Sequence, residues 1–260
     1  MIVLLKDIVD LSELKMDPST RQPRVEGVKR KISDLDKRAL EEAIRLKEKH
    51  GGDVITLSVG SDKTRSVMLE ALAMGADAAY IVNDAALAGI DSLATSRVLR
   101  AALEKMGHFD LIICGEMSLD GLSAQIGPRI AELMNLPQVT YARQIELLDG
   151  RVRAVRDLED IDEVVEVELP AVVSVVREIN EPRIPSLMNI MKAKRKPTEE
   201  WSSTSIGLSA VETRAGSSVE VLKVVAPLVE RKRIVVKAET VEEAAEKLAE
   251  AILAEGVLEA

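Results

Sequence analysis

Four apolar runs, separated by helix-length amphipathic stretches, fill the first 140 residues and leave few folds open. Residues 2–5, 54–59, 79–82 and 110–115 are rich in Val, Ile, Leu and Ala with little polar alternation, the signature of strands buried on both faces. A helix follows each. The first is capped by Ser33 or Asp34, carries Leu35, Ala39, Ala43 and Leu46 on one stripe, leaves Glu41, Glu42, Lys47 and Lys49 for water, and ends at Gly51-Gly52. The second starts at Ser61 or Asp62 and stops at Gly75. The third is capped by Asp91 or Ser92 and runs to about Lys105. The fourth covers 123–134, and a short fifth strand begins at 139–141. Strand–helix alternation at this spacing predicts an α/β fold with a five-stranded, mainly parallel sheet and flanking helices.

The pattern changes after residue 142. Residues 145–148 and 152–157 flank Asp149-Gly150 and read as a hairpin, with further strands at 164–167 and 171–176 forming a small antiparallel section. Residues 11–32 read as a turn-rich excursion with short strands. Residues 182–216 read as irregular, 235–237 as a last short strand, and 240–255 as an amphipathic helix with Val241, Ala244, Ala245, Leu248 and Ile252 inside. That helix either packs on a partner or folds back on its own domain. The expected organisation is a domain over 1–179, a surface segment over 180–197, and an extended C-terminal arm over 198–260.

A net charge of −9 argues against nucleic-acid or anionic-membrane binding. Cys114 is the only cysteine, so a disulfide framework or cysteine metal cluster is excluded, and two histidines supply little acid–base chemistry. The apolar run after Met1 is too short for a signal peptide or membrane span, so the expected location is cytoplasmic. No nucleophile–base motif or Walker lysine loop is present, and no catalytic residue is assigned.

Ligands of open α/β sheets bind beyond the carboxyl ends of the strands. Four such ends carry suggestive residues: Leu4 with Lys6 and Asp7; Val59 with Gly60, where a glycine admits close backbone approach; 88–96 with Asp91, Thr95 and Ser96; and 115–128. The last joins a buried strand to a helix start, whose free N–H groups suit a phosphate. Gly121, Ser123 and Ala124 are small enough for close approach, Gln125 offers an amide, and Asp120 can hold a ribose hydroxyl. The plain alternative is a strand–helix loop capped by Ser123. Residues 180–197 hold three prolines and place Leu187 and Met188 before a basic run, 192–196. This reads either as a linker or as a docking surface with an apolar anchor and steering charge.

Residues 41–48 (Glu-Glu-Ala-Ile-Arg-Leu-Lys-Glu), 71–77 (Ala-Leu-Ala-Met-Gly-Ala-Asp), the 115–128 loop, and Asn-Glu-Pro-Arg with Asn-Ile-Met-Lys-Ala-Lys in 180–194 resemble the beta subunit of an electron transfer flavoprotein. The pattern from Ala154 to Ser174 also fits, except that Ile161 stands where Gly, Asp or Glu is usual. The resemblance covers about residues 1–197. It implies an adenine-nucleotide-binding α/β domain of the HUP-like type, paired with an alpha subunit that carries the redox-active FAD. By position it implies nucleotide contacts at Leu4, Ser33, Asp36 and Val59, and at Gly115, Glu116, Met117, Ser118, Leu119, Asp120, Gly121, Leu122, Ser123, Ala124, Gln125 and Ile126; Ser33-Asp34 replaces the usual Asn-Pro. Leu187 matches the anchor leucine of the family's recognition loop, with Met188, Ile190, Lys192 and Lys194 around it. Asp157 stands in place of a glutamate near the alpha-subunit flavin. Residues 88–96 resemble a stretch typical of electron-bifurcating members. Those members hold FAD and use NADH as donor, with a flavin dehydrogenase, quinone oxidoreductase or ferredoxin-like subunit as partner and membrane association only through such subunits. The alternatives are a non-bifurcating subunit with structural AMP, or a stand-alone adenine-nucleotide module.

Overall fold

The four apolar runs form the middle of one sheet: β1 (Ile2–Leu4), β6 (Ile55–Gly60), β7 (Ala78–Asn83) and β8 (Leu111–Gly115). The structure, a computed structural model, describes residues 1–209, 216–227 and 233–256. Between β1 and β6 lie β2 (Asp7–Val9), β3 (Lys15–Met16), β4 (Pro23–Arg24) and β5 (Arg30–Ile32), which pair as two small ribbons, β2 with β5 and β3 with β4. The expected excursion with short strands is therefore present.

The main sheet has nine strands in the order β11-β10-β9-β12-β8-β1-β6-β7-β13, where β9 is Gln138–Leu148, β10 Arg151–Leu158, β11 Ile161–Glu168, β12 Ala171–Val175 and β13 Thr198–Trp201. All pairings from β9 to β13 along that order are parallel, while β10 and β11 add on antiparallel. The fold class is as the sequence predicts, with a longer sheet, but 171–175, expected in the antiparallel section, is a parallel strand between β9 and β8. The expected short fifth strand and the first hairpin arm are one strand, β9, which serves β12 with one half and β10 with the other. Register shifts opposite it, and a left-handed Tyr141 (φ 60°), interrupt the alternation that would have shown its continuity.

Residues 198–201 were expected to be irregular because Thr-Glu-Glu-Trp has no apolar period. They form the outer edge strand instead, seated by Trp201, whose ring lies 4.7 Å from that of Tyr80, with the Lys105 ammonium 4.5 Å from the Trp201 ring centre.

Helices α1 (Asp34–His50) and α2 (Thr64–Met74) cover one face; α3 (Ser92–Met106) and α4 (Ile126–Met134) cover the other. Val3, Leu5, Ile81, Ile113 and Val173 point into the first core, and Ile2, Leu4, Leu57, Ile112 and Val172 into the second. On α1 the apolar stripe is buried as expected, but Glu41 and Glu42 are buried too, only 2% and 9% exposed. Two helices start late. α2 begins at Thr64, and α4 at Ile126 with Gln125 in the cap position, so Ser123 caps nothing. Residues 235–237 form no strand. The last helix, α6 (Val241–Ala254), is capped by Thr240, yet it buries no residue. Val241, Leu248 and Ile252 are exposed, so it does not fold back on the domain. Parts of the arm, 210–215, 228–232 and 257–260, lie outside the described residues.

Candidate functional site

Asp36 sits on the first turn of α1 and ties two strand ends together. Its Oδ2 accepts the Lys6 N–H just beyond β1 (2.8 Å), and its Oδ1 accepts the N–H of Gly115 at the end of β8 (3.0 Å). Burial pushes the Asp36 carboxyl up to about 7, against the pull of these two donors and of the Lys6 charge. A raised native pKa means stability that is present at low pH and lost as pH rises toward 7. The urea midpoint of wild type minus that of Asp36→Asn is therefore expected to fall between about pH 4 and 7 and to level off above 8. A flat difference across that range would refute the assignment.

The loop after β8 is closed from the same side. The Lys6 ammonium pairs with Asp120 (2.7 Å) and donates to Ser118 Oγ (3.2 Å). Leu122 and Ala124 take positive φ values of 49° and 51°, a backbone that non-glycine residues adopt reluctantly. No side chain caps α4, which leaves first-turn N–H groups directed at this loop. Glu116 and Met117 are half-buried, while Leu119, Gly121 and Ser123 are exposed. Burial, together with the nearby negative charges of Glu178 and Asp157, raises the Glu116 carboxyl above its ordinary value, so Asp157 belongs to the same end of the sheet.

The heads of α3 and α4 meet: Ser92 Oγ donates to Gln125 Oε1 at 2.5 Å. The expected loops at 88–96 and 115–126 are thus one surface. Asp91, however, spends its carboxylate within the chain. Oδ1 caps α3 through Ala94 N (2.8 Å), and Oδ2 accepts from Ser218 N (2.7 Å) and Val219 N (3.0 Å). Thr95 and Ser96 give their hydroxyl protons to the carbonyls of Asp91 and Ser92. Asp7 is likewise committed, to Arg30 Nε (2.7 Å) and Thr64 Oγ1 (2.9 Å). Gly60 is needed by α2: a Cβ there would lie 2.1 Å from Thr64 Oγ1, so the close approach it permits is to protein. Leu4 is buried beneath the site and Val59 half-buried beside it. Ser33 occupies the cap position of α1 without capping it, and its hydroxyl, like that of Ser58, is buried with no partner.

Residues 180–197 fold around a two-turn helix, α5 (Leu187–Ala193), capped by Ser186. Leu187, Met188 and Met191 are 76%, 64% and 66% exposed, and Ile190 lies at the edge of exposure, while Ala193 is buried against the core. Lys192 and Lys194 lie on the same exposed surface. Lys196 turns inward and donates to the carbonyls of Leu72 and Ala76 at the end of α2 (2.9 and 2.5 Å). The buried acids of α1 hold the other end. Arg183 reaches Glu41 (2.8 Å) and Glu48 (2.6 Å), and Asn180 donates to Glu42 Oε2 and the Arg38 carbonyl (both 3.0 Å). Burial works against the charge on Glu41, but Arg183 and Arg45 outweigh it and hold the carboxyl below its ordinary value. Sequence reasoning placed Glu41 and Glu42 in water. The Asn-Glu-Pro-Arg motif was the available signal that something polar must receive them.

A mainly parallel sheet with loops gathered at its carboxyl edge, and an apolar helix held on the C-terminal ends of α1 and α2, defines an open α/β domain of the kind that binds ligands at that edge. Residues 25–206 match the electron transfer flavoprotein domain. An electron transfer flavoprotein subunit beta from Thermoanaerobacterium thermosaccharolyticum is 47% identical over 146 residues, 56% of each chain. The caffeyl-CoA reductase-Etf complex subunit CarD of Acetobacterium woodii is 34% identical over 209 residues, 80% of each chain. Protein FixA of Azotobacter vinelandii is 33% identical over 240 residues, 89% of this chain and 85% of that one. The chain belongs to the electron transfer flavoprotein family. It spans somewhat over half the length of several beta-subunit relatives, 56–59%.

The residues fit an adenine nucleotide. Two orphaned hydroxyls (Ser33, Ser58), an uncapped helix head and a left-handed loop converge with Lys6 at one end of the sheet. No helix among the described residues is long and apolar enough to cross a membrane.

Proposed function

We propose that the chain is the beta subunit of a heterodimeric electron transfer flavoprotein, and that it holds FAD at the carboxyl edge of its sheet. The observation that carries the reading is the meeting of the α3 and α4 heads through Ser92 and Gln125, which offers one continuous surface for a ligand longer than a mononucleotide. The resemblance of 88–96 to bifurcating members supports FAD over AMP. Residues 115–126 and the α4 head would receive the phosphates, and Lys6 would balance their charge. The unpartnered Ser33 hydroxyl would find its acceptor or donor on the nucleotide. When bound, the flavin supplies hydride acceptance from NADH and delivery of single electrons. The chain positions it, excludes water, and presents α5 to a flavin dehydrogenase, quinone oxidoreductase or ferredoxin-like partner. The exposed arm helix α6 would cover its apolar face on the alpha subunit. The CarD relative is a subunit of a reductase–Etf complex, which supports work inside a larger assembly.

Co-purification with the alpha subunit tests this. Two FAD per heterodimer are expected. One FAD plus AMP would keep the electron-transfer role and overturn the second flavin, and a chain that binds no alpha subunit would favour the stand-alone nucleotide module.

A further inference from the structure

Residues 216–226 of the arm are tied down at both ends. At the first end, four contacts join them to the head of α3. Asp91 Oδ2 accepts the Ser218 and Val219 N–H groups (2.7 and 3.0 Å), Ser217 Oγ accepts the Asp91 N–H (3.1 Å), and Arg97 Nη1 donates to the Gly216 carbonyl (3.4 Å). At the second end, Ala226 donates its N–H to the Arg21 carbonyl (2.8 Å) and accepts from Arg21 Nη1 (3.3 Å). Arg21 lies in the excursion that follows β1. The seven-residue step from Val219 to Ala226 spans at most about 24 Å. One anchor is thus the head of α3, which follows β7, and the other is the excursion that follows β1, whose Lys6 enters the site; the near anchor is one residue from the Ser92–Gln125 junction. Between the anchors Val221, Leu222 and Val224 are exposed, and no strand or helix forms.

We propose that residues 216–226 are a strap across the mouth of the nucleotide site, fastened by Asp91, which slows nucleotide entry and release. This rests on the nucleotide reading above. Asp91 is the fastener because one oxygen is fully used by the α3 cap and the other by the arm. The near anchor and the site floor share a helix head, so lifting the strap opens the site without disturbing either sheet core.

Two variants separate the strap from a direct ligand role. Asp91→Asn keeps a good helix cap but sets an amide against two N–H donors. Ser218→Pro deletes one of those donors and leaves every side chain of 88–96 and 115–126 unchanged. The full chain is loaded with FAD, and in parallel with AMP, and release is followed after dilution. Both variants are expected to release nucleotide at least tenfold faster than wild type. Lys223 is the one tryptic site in the strap, and bound nucleotide is expected to slow cleavage there in wild type and not in either variant. Faster release from Asp91→Asn with Ser218→Pro unchanged would assign Asp91 to the ligand and overturn the strap. Unchanged release in both would overturn it as well. Failure of wild type to bind either nucleotide would instead overturn the nucleotide reading on which the strap depends.

Discussion

Replacing Gly115 by alanine is expected to cost the fold about 3 kcal/mol, at the upper end of ordinary overpacking, and to empty the nucleotide site. The reason is steric. A Cβ at this position would lie 2.7 Å from Leu35 Cβ, 2.8 Å from the Leu35 carbonyl carbon and 2.8 Å from Asp36 Oδ1. Two of these are at or next to backbone on the first turn of α1, so no distal rotamer can relieve them. α1 must move off β8, and in doing so Asp36 loses the Gly115 N–H that it accepts. The freed, buried carboxylate then has only Lys6 N–H as a partner. The loop 116–126 hangs from that strand end, so its path shifts with it. Chemical denaturation gives the stability change, and the nucleotide content of the purified variant gives the functional one. A variant within about 0.5 kcal/mol of wild type, a shift typical of neutral surface changes, would show that α1 is not held at this point.

The core strands were legible because a strand buried on both faces leaves a continuous apolar run, which needs no knowledge of its neighbours. The loops gathered at the carboxyl edge were legible for a related reason: they follow from where strands end. What stayed hidden depends on residues distant in sequence. Helical periodicity assigns Glu41 and Glu42 to water because it describes α1 alone, whereas Arg183 and Asn180 return from far along the chain to claim them. β13 was hidden because an edge strand can be polar on both faces and is recognised only by the β7 partner it finds. Asp91 was correctly read as a helix cap, but its second oxygen answers to the arm, which no local pattern reveals. Ser123 and Ser33 look like caps by type. The left-handed turn at Leu122 and Ala124 delays α4 past Ser123, and the hydroxyl of Ser33 makes no cap bond.

Leu187→Ala and Arg183→Ala are expected to damage partner electron transfer by different routes, and the contrast is the test of the docking surface. Leu187 is largely exposed and packs on nothing in this chain that its truncation would unsettle. Its loss should leave the denaturation midpoint unchanged and lower kcat/KM for transfer to the partner about 30-fold, the size of a 2 kcal/mol interface anchor. Arg183 touches no partner in this reading. It is a positioning residue, clamping α5 to α1 through the buried Glu41 and the more exposed Glu48. Without its side chain Glu41 keeps one cation, Arg45, and the backbone N–H of residue 183. A buried acid stripped of one cation destabilises the fold by about 2–3 kcal/mol, less than the full penalty for an unpaired buried charge because Arg45 remains. Arg183→Lys should not rescue, since one ammonium cannot bridge two carboxylates as the guanidinium fork does. Transfer should fall in Arg183→Ala together with stability, and nucleotide content should hold in both variants because the site lies at the carboxyl edge of the sheet. If Leu187→Ala transferred electrons at the wild-type rate, the exposed face of α5 would not be the docking surface. If Arg183→Ala left stability untouched, the Asn-Glu-Pro-Arg segment would not be what holds that face in place.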